Sequence, residues 1–204
     1  MSTAAGGKEA GVGSRETDSS AIGRRVIVIG GCGAGKTWFS ERLAEITGLP
    51  LTHLDRLGWR GNWEKTPREE FDALLSGVMR GECWIIDGNY NRTIPERLRQ
   101  ADTVFWFDFS GLRCFRGVVG RFLRDRGRTR EDMGGDCAER LNPEKLRFFL
   151  NTLFGAKKTH NRIAGYLSDA PEGIVTHVFH RRREAEGFLA DLGRTKTEGG
   201  RTEP

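Results

Sequence analysis

The apolar run Val26-Ile27-Val28-Ile29 leads straight into Gly30-Gly31-Cys32-Gly33-Ala34-Gly35-Lys36-Thr37, and this junction constrains the fold more than any other stretch of the chain. The eight residues fill the pattern G-x-x-x-x-G-K-[ST], and the strand-sized run before them makes the match specific. Glycines turn the chain tightly and let bare backbone N–H groups face a ligand, so strand, loop and helix start together form an anion cradle. A plain glycine turn needs neither the lysine nor the hydroxyl beside it. The pattern points to a nucleoside triphosphate bound by Gly30 through Thr37 and the following Trp38. Lys36 is expected on the outer phosphates, and the Thr37 hydroxyl as a ligand of Mg²⁺.

The rest of the chain alternates strand and helix signals. Thr37 to Thr47 places Trp38, Phe39, Leu43 and Ile46 at helical spacing before the stop signal Gly48. Leu49 to Leu54 reads as a second strand that delivers His53 and Asp55 to its C-terminal end. Arg56 to Lys65 is irregular. Thr66-Pro67-Arg68-Glu69 and Thr93-Ile94-Pro95-Glu96 both spell capping boxes with proline at the first helical position. The run Cys83 to Asp87 is a buried strand tipped by a carboxylate. Thr103 to Phe109 and Gly173 to Phe179 complete five strands. Helices are expected over Leu112 to Asp125, from Asn142-Pro143 to Leu167, and over Glu184 to Leu192. The fold class that follows is α/β, a five-stranded parallel sheet with right-handed crossovers and helices on both faces. Ligands in such sheets bind beyond the strand C-termini, where the glycine loop, Asp55 and Asp87 all fall.

A chain of 204 residues suits one such domain, expected over 24–192. The segments 1–23 and 193–204 are polar and expected to be disordered. The first segment lacks the apolar stretch of a secretory signal, and no run has the length needed to cross a bilayer. Cys32, Cys83, Cys114 and Cys137 show no C-x-x-C spacing, which argues against a zinc site or disulfide framework and suits a reducing cytoplasm. The net charge of +5 and pI near 9.3 suit polyanionic ligands, nucleotides and nucleic acids alike. Monomer and homodimer both remain open.

The glycine loop does not say what happens to the phosphates. A switch GTPase would carry a late N-K-x-D or T-K-x-D, which is absent; Asp55-Arg56-Leu57-Gly58 matches only the short D-x-x-G. A phosphotransferase needs Mg²⁺, an acceptor pocket, positive groups for the transferring oxygens and a closure that excludes water. Asp87 suits the acidic role near Mg²⁺. Asp55 either accepts the proton of an acceptor hydroxyl or satisfies loop N–H groups. His53 stands beside it as a weaker acceptor-site candidate. The arginines from Arg113 to Arg130, followed by Gly134 and Gly135, have the composition of a lid over about 124–138, with Arg126 and Arg130 as the phosphate contacts. Trp59 and Trp63 either stack on an acceptor ring or cap the core.

The ordered set GGCGAGKT, LPLTHLDRLGW with Trp63, TPREEF, WIIDGNY, RTIPERL, ADTVFWFDF, RFLRDRGRTR and GDCAERL resembles the topology modulation proteins of FlaR type, which are similar to adenylate kinases. The resemblance spans about Arg24 to Leu192. It implies a nucleoside-monophosphate-kinase-like fold, ATP and Mg²⁺ as cofactors, and transfer of phosphate to a small acceptor. It also implies that Asp87-Gly88 is the D-G pair at the metal and acceptor edge. Adenylate kinases continue that pair with an aromatic or apolar residue and Pro-Arg. Here Asn89-Tyr90-Asn91-Arg92 follows, a departure that leaves the acceptor open while Arg92 is positioned to reach an acceptor phosphate. Non-specific DNA association and slow ATP hydrolysis are the alternatives that the arginines and the resemblance raise.

Overall fold

The computed structural model describes residues 22–127, Met133, Cys137 and 141–199. Its sheet contains β1 (Arg25–Gly30), β2 (Leu51–His53), β5 (Trp84–Asp87), β6 (Thr103–Phe107) and β7 (Val175–Phe179). They run parallel in the order β2-β5-β1-β6-β7, so the strand carrying the glycine loop is central. The β2 strand lies two places from β1, on the opposite side from β6. Chain order therefore reverses beside β1, which opens a crevice at its C-terminal end.

Alternation along β1 sorts the two halves of the core. Val26 and Val28 face a layer built from Phe39 and Leu43 of α1 (Lys36–Thr47), and from Ala185 and Leu189 of the last helix. Ile27 and Ile29 face Leu54 of the short helix α2 (Leu54–Gly58), Phe71 and Leu75 of α3 (Arg68–Met79), Ile94 and Leu98 of α4 (Ile94–Leu98), and Ile163. Helices thus cover both faces, as expected. Between α2 and α3 the stretch read as irregular forms an antiparallel hairpin, β3 (Trp59–Arg60) with β4 (Glu64–Lys65). Beyond β6 lies α5 (Gly111–Asp125), whose Phe115, Val118 and Phe122 pack with Phe149.

Four local expectations need correction. The helix read as continuous from Asn142 to Leu167 is two, α6 (Pro143–Phe154) and α7 (Ala156–Ser168), divided at Gly155. A Cβ at Gly155 would lie 2.4 Å from the Asn151 carbonyl, so only glycine fits the junction. The Thr66 capping box does not form: the hairpin holds the Thr66 N–H on the Gly58 carbonyl at 3.1 Å, and Pro67 takes the cap position without a side-chain bond. At the second box the Thr93 hydroxyl donates to the Tyr90 carbonyl instead, at 2.9 Å. Finally, α8 (Arg182–Gly199) runs past Leu192. Leu192 packs on the core and Lys196 donates to the Ile46 carbonyl at the end of α1, which extends the helix into the segment expected to be frayed. By contrast, the Asn142 cap is in place, accepting from the Lys145 N–H at 2.7 Å.

Candidate active site

The glycine loop earns its glycines in three places. Gly30, Gly33 and Gly35 have φ of 139°, 78° and 91°, values that side chains rarely tolerate. A Cβ on Gly33 would lie 2.4 Å from the Cys114 carbonyl, because α5 packs directly beneath the loop. A Cβ on Gly35 would meet nothing within 4 Å, so that side of the loop is open to a ligand. Lys36 folds back over the turn, its Nζ donating to the carbonyls of Gly30 (3.1 Å) and Gly31 (3.0 Å).

Thr37 and Asp87, fifty residues apart, meet at the mouth of this loop: the Thr37 hydroxyl donates to Asp87 Oδ2 at 3.2 Å. His53 Nδ1 reaches the same oxygen at 3.0 Å. A carboxylate only accepts, so this nitrogen carries the proton and Nε2 is left as an acceptor unless the ring is charged. With two donors on Oδ2, the buried Oδ1 has no hydrogen-bond partner among the described residues. That oxygen and the Thr37 hydroxyl are the atoms with which the protein would hold Mg²⁺. No group of three His, Cys, Asp or Glu residues suited to a metal occurs among the described residues. Mg²⁺ carried on ligand phosphates needs only one or two protein ligands, so the pair fits that ion.

Two residues that sequence reasoning left out hold this corner together. The Asn89 side chain pairs with Gly30 in both directions, accepting from its N–H at 2.9 Å and donating to its carbonyl at 2.8 Å. Arg97 is fully buried and donates to the carbonyls of Gly88 (2.9 Å) and Asn89. Burial pulls its guanidinium down to about 9 while Asp87 pulls the other way, so at neutral pH a positive charge sits behind the carboxylate. Asn89 was visible only as a departure from the adenylate-kinase pattern. Arg97 carried no signal, since arginine in a short P-E-R-L helix reads as solvated.

A cleft of about 1010 Å³ opens from Lys36, Thr37 and Asp87. His53, Asp55 and Gly88, the acceptor-site candidates of the sequence, are among the residues that line it. Asp55 sits in α2 rather than on a strand tip, with the Tyr90 hydroxyl hydrogen-bonded to its carboxylate. Burial, and then the charge of Asp55, push the Tyr90 pKa up, so Tyr90 remains a donor. Its φ of 33° is strained for a side chain of this size, and its ring stacks on Phe71 at 4.7 Å. Trp59 and Trp63, edge to face at 5.5 Å, stand on the cleft wall and belong to neither main core cluster. Arg121 and Lys145 also line the cleft and add positive charge, the Lys145 ammonium lying 5.7 Å from the Trp63 ring centroid.

Other expected residues are elsewhere. Arg92 forms a two-pronged pair with Asp72 of α3, at 2.9 and 2.6 Å, and does not line the cleft. Trp38 faces the Arg182 guanidinium, 4.8 Å from its ring. Arg126 is exposed at the end of α5 and does not line the cleft. Arg130 lies outside the described residues. Of the proposed lid, Met133 lines the cleft and the buried Cys137 thiol donates to the Arg60 carbonyl of the hairpin at 3.1 Å.

No protein-family model matches this chain, and no curated protein matches it in sequence. Among solved structures, shikimate kinase from Bacteroides thetaiotaomicron is similar with a TM-score of 0.49 and 17% identity, over 84% of this chain and 97% of that one.

Proposed function

We propose that the protein transfers a phosphoryl group from ATP to a small hydroxylated acceptor, with Mg²⁺ held at Thr37 and Asp87. One observation carries the reading: a lysine-threonine phosphate loop, a carboxylate within 3.2 Å of that threonine and an acceptor-sized cleft share a single sheet edge. Phosphate oxygens are stronger acceptors than the carbonyls that Lys36 now contacts, so its ammonium turns to the outer phosphates when they bind. Mg²⁺ would neutralise charge on the phosphates as the bond shifts. Arg97 and His53 orient Asp87, and Asn89 keeps the β5 tip against Gly30. Asp55 takes the proton of the acceptor hydroxyl while Tyr90 steadies the carboxylate. The aromatic walls favour an acceptor with a planar or ring face, and Lys145 and Arg121 favour one bearing an anion.

The test is ATP turnover by the full chain with a panel of nucleosides, nucleotides and hydroxylated metabolites. Turnover that depends on one acceptor and collapses in Lys36→Ala is the expected result. Turnover of ATP alone, unchanged by every acceptor, would leave a slow ATPase instead. The DNA-associated role implied by the resemblance to topology modulation proteins draws on exposed arginines alone. Absence of any DNA shift at low salt removes it.

A further inference from the structure

The α5 and α6 helices leave a large apolar surface uncovered. Leu112 and Leu123 of α5 are 52% and 67% exposed. Leu146, Leu150 and Phe154 of α6, spaced i, i+4, i+8, are 56%, 48% and 77% exposed. The two helices run antiparallel: Gly111 sits so close to the Leu153 carbonyl that a Cβ would lie 2.0 Å from it, while Phe122 meets Phe149 at 5.7 Å. Leu112 therefore neighbours the Phe154 end and Leu123 the Leu146 end, so the two stripes form one band. Large exposed apolar bands mark docking sites on soluble domains.

The charges bordering the band choose its occupant. Arg116 and Arg124 are exposed on α5, Arg147 on α6, and Lys157 and Lys158 at the start of α7, while Arg113 donates to the His180 carbonyl. Among the described residues of α5 and α6 the acids are Glu144, which is exposed, and Asp125, which is partly buried. A second copy would set this basic border against its own like charges, which is unfavourable. An acyl boundary that accepts leucine and phenylalanine, beneath anionic headgroups that accept arginine and lysine, complements both parts. Long cationic side chains flanking an apolar strip can extend outward to headgroups while their stems stay on the strip.

We propose that the α5–α6 face is a peripheral docking surface for an anionic lipid bilayer. None of Leu112, Leu123, Leu150 and Phe154 lines the cleft, although Glu144 and Arg147 at the border of the band do, so the decisive substitutions fall on the apolar residues and Arg116, which lie outside it. The experiment is cosedimentation of the full chain with vesicles of phosphatidylcholine, with and without about one-third phosphatidylglycerol. Binding is expected on the anionic vesicles only. The double change Leu150→Asp and Phe154→Asp should weaken it at least about tenfold, with the fold retained by circular dichroism, while Leu150→Ser and Phe154→Ser, which add no charge, should weaken it in the same direction. Arg116→Glu should weaken it as well. Two results overturn the proposal. One is an affinity that ignores the Leu150 and Phe154 changes, because charge alone would then suffice. The other is no sedimentation with anionic vesicles, including the case where ultracentrifugation finds a dimer that Leu150→Asp dissociates.

Discussion

Asp87 collects more of this protein's chemistry than any other side chain. Thr37 and His53 occupy one of its oxygens, Arg97 stands behind it, and the second oxygen is buried without a partner among the described residues. Asp87→Asn replaces an acceptor-only group with one that also donates, so the Mg²⁺ concentration for half-maximal turnover should rise; a titration over the metal reads it. Lys36→Ala removes charge from the transferred phosphoryl and should lower kcat on the order of 10²-fold or more, with circular dichroism unaltered. Asp55→Asn should lower kcat by about 10²-fold while leaving nucleotide affinity intact, as calorimetry with ATP would show. Tyr90→Phe tests the support of that carboxylate: a loss smaller than that of Asp55→Asn, and absent from Asp55→Asn/Tyr90→Phe relative to Asp55→Asn, means the two act as one unit.

At the level of elements, close approach decides which substitutions are tolerated. Gly33→Ala forces a φ of 78° on alanine and a Cβ into the Cys114 carbonyl of α5, so it should cost more than about 1 kcal/mol in a urea melt. The β7 strand offers a pH test. His177 is buried, stacked on Phe105 at 4.9 Å, and desolvation lowers its pKa from 6.5. The folded state thus resists the proton that the unfolded chain accepts. Stability from this site is complete above about 6.5 and falls as the pH drops below it. His177→Leu should flatten the decline in melting temperature between neutral and mildly acid pH, while an unchanged slope would assign it to other groups. The two failed capping boxes teach a related lesson. Thr66 and Thr93 carry the right local signature, yet the Thr66 N–H is held by the Gly58 carbonyl of the hairpin and the Thr93 hydroxyl by the nearby Tyr90 carbonyl, so neither box closes.

For the whole molecule, ligand linkage gives the most direct reading of the cleft. Nucleotide that binds only the folded chain at about a hundred times its dissociation constant adds about 2.7 kcal/mol, so MgATP should raise the melting temperature of the wild type and much less that of Lys36→Ala. The three central strands β1, β5 and β6 were legible because buried parallel strands are apolar runs with punctuated ends, a signal carried within four to six residues. The phosphate loop was legible for the same reason, since its conformation demands glycine at fixed spacing. The break at Gly155 was not, because a lone glycine inside a helical pattern is as compatible with a continuous helix as with two. Nor were Asn89 and Arg97: an amide pairing across 59 residues and a guanidinium stripped of water are created only when β5, α4 and β1 come together. Local sequence therefore determined the parallel α/β class, the loop and the carboxylate at the strand tip, where short-range sterics and apolar patterning are sufficient. Tertiary structure alone decided that Arg92 is tied to Asp72, that the tryptophans wall the cleft, and that a buried arginine backs Asp87, since burial and partner choice are properties of distant segments in contact.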